Sequence, residues 1–227
     1  MIRRVIRGGV LTATAIVLAC VAVPIAASAG QFTGFDAFAG TYAIQPNGTV
    51  EAHEVLDAGF NTATVNGTIR YITNEAPVPG KSGQHRVFGI SNLKLTSETG
   101  TPVPYTTAQH GDTLAITLSN AAAIPKGNQR YVLTYTIADA LDQANGSDAF
   151  AWPVLTGSDD ANEVALTVSA PVGITSATCT VASATGDPRE CKKSTITNGK
   201  AEFTNGLTLN NTLTITTKQP VSYTHLR

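Results

Sequence analysis

The sequence predicts an all-β chain, an antiparallel β-sandwich that is Ig-like in general architecture, preceded by a cleavable signal helix. Three observations carry this. Apolar and polar residues alternate with period two along most of the chain, as half-buried strands require. Asn-Gly pairs recur at short intervals, at 47–48, 66–67, 145–146, 198–199 and 205–206, and such pairs suit hairpin turns. After the first 29 residues no segment sustains the 3.6-residue period that the helical crossovers of a parallel α/β fold would need.

The chain opens with an export address. Arg3, Arg4 and Arg7 precede an apolar run from Val10 to Ile25, and Ala27-Ser28-Ala29 offers the small-x-small pattern of signal peptidase, with cleavage between Ala29 and Gly30. The run is about 16 residues long and contains Pro24, whereas a membrane-spanning helix needs roughly 20. An alternative places Cys20, after Val17-Leu18-Ala19, as a lipidated cysteine. Either route puts the mature chain outside the cytoplasmic membrane.

From residue 30 to 220 the strand signals follow in order. Weaker runs lie at Thr49 to Val55, Gly67 to Thr73 and Arg86 to Leu95. Leu114 to Leu118 alternates clearly. In Tyr131 to Ile137, the residues Tyr131, Leu133, Tyr135 and Ile137 share one face and threonine and valine line the other. Val164 to Val168, Ile174 to Val181 and Leu213 to Thr216 bring the expected total to about ten. Short helical turns are allowed at Ala121 to Ala123 and at Ile137 to Ala144. Pro77, Pro79, Gly80 and Gly83 mark one long loop, Pro102 and Pro104 another, and the stretch 139–160 reads as a loop that divides one β domain or separates two.

Composition excludes whole classes of function. The leader carries three of the 15 basic residues and none of the 16 acidic ones, so the exported part is acidic. Nucleic-acid binding needs a basic stripe, and so does electrostatic attachment to anionic lipid. Cys179 and Cys191 are the two cysteines left after export, and an oxidising compartment makes a disulfide between them the expected state. Closing a loop of about a dozen residues stabilises by about 3 kcal/mol in the loop-entropy treatment.

Candidate chemistry is sparse. His53, His85 and His110 lie in the exported body and His225 in the tail; His110-Gly111-Asp112 is the one close histidine and acid pair, without a Gly-x-Ser-x-Gly elbow. A solvated turn before the strand at Leu114 accounts for it better than a hydrolase site. Two acidic groups, Asp139, Asp142, Asn145 and Asp148, and Asp159, Asp160, Asn162 and Glu163, carry oxygen ligands that calcium favours but lack EF-hand spacing, and solvated loops explain them. Asn47-Gly48-Thr49, Asn66-Gly67-Thr68, Asn145-Gly146-Ser147 and Asn210-Asn211-Thr212 fit a glycosylation pattern and read better as turns. Trp152, the single tryptophan, is expected in the core, with a ligand platform as the other reading. No catalytic residue, cofactor or metal ligand is assigned.

Several segments, in order, resemble one bacterial family. Tyr42 to Glu54, with its Asn47-Gly48 turn followed by a valine-led strand ending in glutamate, is similar to the opening of predicted membrane proteins that carry domain of unknown function 2207. Gly67-Thr68-Ile69-Arg70-Tyr71-Ile72 resembles its glycine-x-isoleucine-arginine segment, and Tyr131 to Tyr135 its tyrosine-rich strand. Phe150-Ala151-Trp152-Pro153-Val154 resembles a strand where members carry tryptophan and often asparagine; Pro153 stands in for that asparagine. The cysteine pair and the closing segments at Ala201 to Phe203 and Leu213 to Ile215 also fall in place, so the resemblance spans about residues 38–220. It implies an exported β domain followed by transmembrane helices, with no catalytic residue to carry over.

The ending, residues 221–227, resembles translated adapter sequence, from which a longer, membrane-tethered natural protein is expected. The function expected is non-enzymatic: an extracytoplasmic domain with an envelope-associated interaction or assembly role and an unidentified protein or envelope partner. A secreted adhesive or glycan-binding module is the alternative, and a hydrolase built on His53 or His110 a third.

Overall fold

A computed structural model describes residues 32–221, apart from 62–63, 78–82, 145, 157–158, 184–185, 207 and 209–210. The segment 1–29 read as a signal, the expected cleavage residues Ala27, Ala29 and Gly30, Cys20, Asn145 and residues 222–227 lie outside the described residues.

Every regular element among the described residues is a strand, and there are seventeen where alternation predicted about ten. In chain order they are β1 (Phe32–Ile44), β2 (Val50–Phe60), β3 (Thr64–Thr73), β4 (Glu75–Pro77), β5 (His85–Val87), β6 (Gly89–Ser97), β7 (Tyr105–His110), β8 (Thr113–Ile124) and β9 (Gly127–Ala138). Then come β10 (Leu141–Ala144), β11 (Ser147–Leu155), β12 (Ala161–Ser169), β13 (Ser176–Ser183), β14 (Arg189–Glu190), β15 (Lys193–Thr197), β16 (Lys200–Asn205) and β17 (Asn211–Pro220). They form a seven-stranded sheet in the order β15-β16-β12-β1-β2-β9-β6 and a five-stranded sheet, β10-β11-β17-β13-β14. A three-stranded sheet, β3-β8-β7, and a β4-β5 ribbon complete the fold.

The faces follow the alternation. Tyr131, Leu133, Tyr135 and Ile137 are buried on β9, Val164, Leu166 and Val168 on β12, and Leu213 and Ile215 on β17. One continuous core joins the sheets. Across it Tyr42 of β1 meets Phe150 of β11 at 6.1 Å between ring centroids, and Trp152 packs edge-on against Phe88 at 5.1 Å. Turn chemistry also behaves as expected at Asn198-Gly199, where φ is +51° and +73° and the pair closes the β15-β16 hairpin. At Asn47-Gly48 the Asn47 side chain accepts from the Thr49 amide at 3.1 Å, and the Gly48 amide donates to Gln45 O at 2.9 Å.

Four local expectations are corrected. Asn66-Gly67 is no turn: it lies inside β3, beside a register shift between Thr64 and Asn66. Ala121 to Ala123 belongs to β8, in the stretch between its Asn66–Ser119 and Thr64–Ile124 pairs where the β3-β8 register shifts, and the supposed turn from Ile137 to Ala144 is the end of β9 followed by β10. The stretch 139–160, read as a loop, holds the β10-β11 hairpin. Pro153, a residue that weakens a strand assignment, sits where the β11-β17 ladder shifts register between Pro153 and Leu155. The fourth concerns β1, which the alternation hid. Phe35 and Phe38 are both buried although three residues apart, because a register shift between Phe35 and Ala37 breaks the period.

β1 sits in the middle of the largest sheet. It pairs antiparallel with β2 and parallel with β12, from Phe35 opposite Ala161 to Ala43 opposite Ser169. Gly40 makes the approach of the neighbouring side chains possible, since a Cβ there would lie 3.0 Å from both Leu166 and Tyr42 side-chain atoms. Cys179 of β13 and Cys191 form the expected disulfide, with Cα atoms 5.3 Å apart and the Cys191 amide donating to Cys179 O at 3.0 Å. The bridge holds the point where the chain leaves the five-stranded sheet at β14 and enters the seven-stranded one at β15.

Candidate functional site

Inward positions of β2 run Val50, Ala52, Glu54, Leu56 and Ala58, so Glu54 occupies a core position of an otherwise apolar face. Arg70 does the same on β3, next to buried Ile69 and Ile72. Both are completely buried, and they meet: Arg70 Nε donates to Glu54 Oε2 at 2.8 Å and Nη2 to Glu54 Oε1 at 2.9 Å, a bidentate pair. Nη1 donates to Asp159 Oδ2 and to Tyr71 O, each at 2.5 Å, and Nη2 also reaches Val154 O at 2.6 Å. A guanidinium has five N–H groups, and five acceptors stand around this one. Its face also lies over the Phe38 ring, 5.2 Å from the centroid.

The carboxylate side is equally occupied. Tyr42 and Tyr135 hydroxyls donate to Glu54 Oε1 at 2.8 and 2.7 Å, and the Tyr71 amide donates to Asp159. Burial and then the Glu54 charge push both phenols well above the usual tyrosine range. Burial opposes the Arg70 charge, but Glu54 and Asp159 overcome it and hold the guanidinium well above its ordinary value. Asp159 is pushed up to about 7, by burial first, against the pull of Arg70. One cation balances one carboxylate; a second ionised carboxylate would leave an excess negative charge in the core. The knot therefore ties β2 of the large sheet, β3 of the three-stranded sheet and the segment after β11 into one unit.

The opposite face of the large sheet is open. Across β2, β1, β12 and β16 run two cross-strand rows, Val55, Ala39, Ala165 and Thr204, and His53, Thr41, Thr167 and Glu202. Small side chains in the central strands leave a groove of about 410 Å³, bounded by His53, Lys193 and Glu202. Lys193 Nζ lies 4.0 Å from Glu202 Oε2, with both side chains about half exposed. Three threonine hydroxyls, an imidazole and an ion pair above an alanine and valine floor make a surface suited to non-covalent contact.

The residues singled out in the sequence scatter. His53 opens onto the groove, whereas His110 ends β7 in another sheet and stands edge-on to Tyr71 at 6.4 Å between centroids. His85 Nδ1 is 2.8 Å from Glu75 Oε1 on the surface. Of the first acidic group, Asp142 pairs with Arg86, Asp148 is buried and Asp139 is exposed at a left-handed position, φ +58°. Of the second, Asp159 belongs to the knot and Asn162 Nδ2 donates to Asp36 Oδ1 at 3.2 Å. Asp159, read as a solvated loop acid, is thus corrected: Arg70, distant in sequence, draws it inside. Among the described residues no group of three or more histidine, cysteine or acidic side chains is arranged to hold a metal ion. Trp152 is fully buried, which removes it as a ligand platform; Tyr71 and Tyr105 are half-buried.

Tyr42, Glu54, Arg70, Tyr135 and Asp159 were not recognised as a set from the sequence. A signal existed for Glu54, which shares strand parity with Val50 and Ala52 in an alternating segment, where a buried charge requires a partner; Arg70 follows buried Ile69 at a register shift, where alternation assigns no side.

Comparison with curated proteins finds no match. Among solved structures the chain is similar to the yeast LTA4 hydrolase in complex with bestatin, at 8% identity and TM-score 0.49, covering 81% of this chain and 28% of that one. It is also similar to the M1 zinc metallopeptidase from Deinococcus radiodurans, at 14% identity and TM-score 0.42, covering 83% of this chain and 42% of that one. The chain thus spans less than half the length of either, and likenesses this weak place no chemistry on it. The family model described as "Predicted membrane protein (DUF2207) N-terminal domain" matches residues 35–224, nearly all of the described chain, and the protein belongs to that family.

Proposed function

We propose that this N-terminal domain is a non-enzymatic, extracytoplasmic module that presents the groove on its seven-stranded sheet to an envelope-associated partner. The observation that carries the reading is the contrast in where charge is spent. Groups with strongly perturbed protonation, Arg70, Asp159, Tyr42 and Tyr135, are buried and bonded through Glu54 or to each other in one closed network, which suits an architectural ion-pair cluster. The open groove instead offers threonine hydroxyls over a small-residue floor. The Cys179–Cys191 disulfide and the three leader arginines support an extracytoplasmic setting.

A photo-crosslinking residue placed at Thr167 in the groove is expected to capture an envelope component in cells, and one at exposed Val172 is not. Equal labelling from both positions would overturn the groove as the contact surface. Hydrolysis of peptide, ester or glycoside substrates by the purified domain, abolished by His53→Ala, would overturn the non-enzymatic reading. Free thiols at Cys179 and Cys191 in intact cells would overturn the compartment.

A further inference from the structure

Sheet edges expose unpaired backbone groups, and proteins blunt them with charges, bulges, proline, shortness or cover. The four sheets have eight edges among the described residues, and seven are blunted. β6 carries Lys94 and a register shift between Ser91 and Lys94, and the chain at 102–103 lies along it, with the Val103 amide donating to Leu95 O at 3.0 Å. β15 carries Lys193 and packs along β13. β10 has four residues and Asp142 ion-paired to Arg86; β14 has two residues; β4 and β5 have three each. β3 lies against β11 and β1.

β7 is different. Tyr105-Thr106-Thr107-Ala108-Gln109-His110 holds no lysine, arginine, acid or proline, pairs with β8 in unbroken register, and is exposed at every residue except half-buried Tyr105. The β7-β8 hairpin closes through the two-residue turn Gly111-Asp112, with Gly111 at φ +57° and His110 opposite Thr113. Such a turn makes His110 and Thr113 a hydrogen-bonded pair. Alternation along an antiparallel ladder then directs the backbone of Thr106, Ala108 and His110 toward β8, and that of Tyr105, Thr107 and Gln109 toward the open edge.

We propose that β7 is a homodimerisation edge, on which two copies of this chain pair β7 with β7 antiparallel about a two-fold axis at Thr107. The three outward residues supply the reason for this register. Thr107 faces Thr107 of the second copy and Tyr105 faces Gln109, so six main-chain hydrogen bonds form and the two three-stranded sheets become one of six strands. A second copy is the occupant because β7 is neutral: it meets itself without opposing like charges, and threonine opposite threonine is a favourable cross-strand pair. A charged peptide would find no complementary charge on this strand. The groove is on another sheet, so the two surfaces succeed or fail separately.

Sedimentation of the exported chain over a rising concentration series tests this. A monomer–dimer equilibrium is expected, weakened at least tenfold by Thr107→Lys, which sets two ammonium groups face to face. Thr107→Pro is expected to abolish the dimer while leaving the circular dichroism spectrum unchanged, because the Thr107 N–H is outside the β8 ladder. Thr107→Cys should crosslink to itself through a short bis-maleimide, and Val172→Cys should not. A monomer at every concentration, or an oligomer indifferent to both Thr107→Lys and Thr107→Pro, would refute the pairing.

Discussion

The two faces of the seven-stranded sheet are built from adjacent residues of the same strands and have opposite economies of charge. On β2, Glu54 points inward and is tied to Arg70, Tyr42 and Tyr135, while His53 points outward into the groove. On β1, Tyr42 is sealed and Thr41 is open. Inside, every donor of the guanidinium has a partner, and the network is worth most where it is least accessible. Outside, in the groove, the Lys193–Glu202 pair is half-exposed and 4.0 Å apart, a contact that solvent screens. A polar side chain in this fold therefore declares its role by strand parity.

The sharpest way to break the contrast is to remove Arg70. Arg70→Met is expected to destabilise the domain by about 3–5 kcal/mol, because Glu54 is left buried without its counter-charge. Urea denaturation followed by the fluorescence of Trp152 reads this directly. Arg70→Lys should recover only part of the loss, since a single ammonium cannot replace the five-donor fork. A loss below about 1 kcal/mol for Arg70→Met would show that the inner face is not held by the knot.

Titration sharpens it next. The folded carboxyl of Asp159 sits at about 7, whereas an unfolded aspartate sits near 3.9. Between those values the folded chain holds the extra proton, so this contribution is fully present below about pH 4 and is lost as pH rises through about 7. The span is on the order of 4 kcal/mol, and Asp159→Asn should flatten that slope in denaturation series from pH 4 to 8. A stability that rises over the same window in the native chain and is unchanged in Asp159→Asn would contradict it.

Reduction of Cys179–Cys191, or the double change to serine, is expected to cost about 3 kcal/mol, read as a lower denaturation midpoint. The smallest effect belongs to the outer face. Thr167→Lys in the groove should alter stability by less than about 0.5 kcal/mol while abolishing crosslinking to the partner from the neighbouring Thr204 position. If it unfolds the domain, the outer face is structural like the inner one.

Much of this was legible beforehand. The buried faces of β9, β12 and β17, the turn at Asn198-Gly199 and the cysteine pair follow from local pattern and cysteine count. Other features were hidden for identifiable reasons. β1 carries a bulge between Phe35 and Ala37 that breaks its period. Pro153 disguised β11, and Asn66-Gly67 resembled a turn because the pair suits one equally well. In the site, Glu54 and Arg70 lay inside recognised segments, but their convergence with Asp159 was invisible.

Period-two alternation, hairpin chemistry and the spacing of Cys179 and Cys191 are short-range properties, so the residues alone determined an all-β chain, the inward side of β9, β12 and β17 and one disulfide. Which strands lie side by side is a long-range matter. The parallel seam between β1 and β12, and the meeting of Arg70 with Glu54 16 residues away and Asp159 89 residues away, arose only when the sheets closed on a common core. Burying that guanidinium is tolerable only once all its acceptors are assembled, and no local stretch of the chain holds them together.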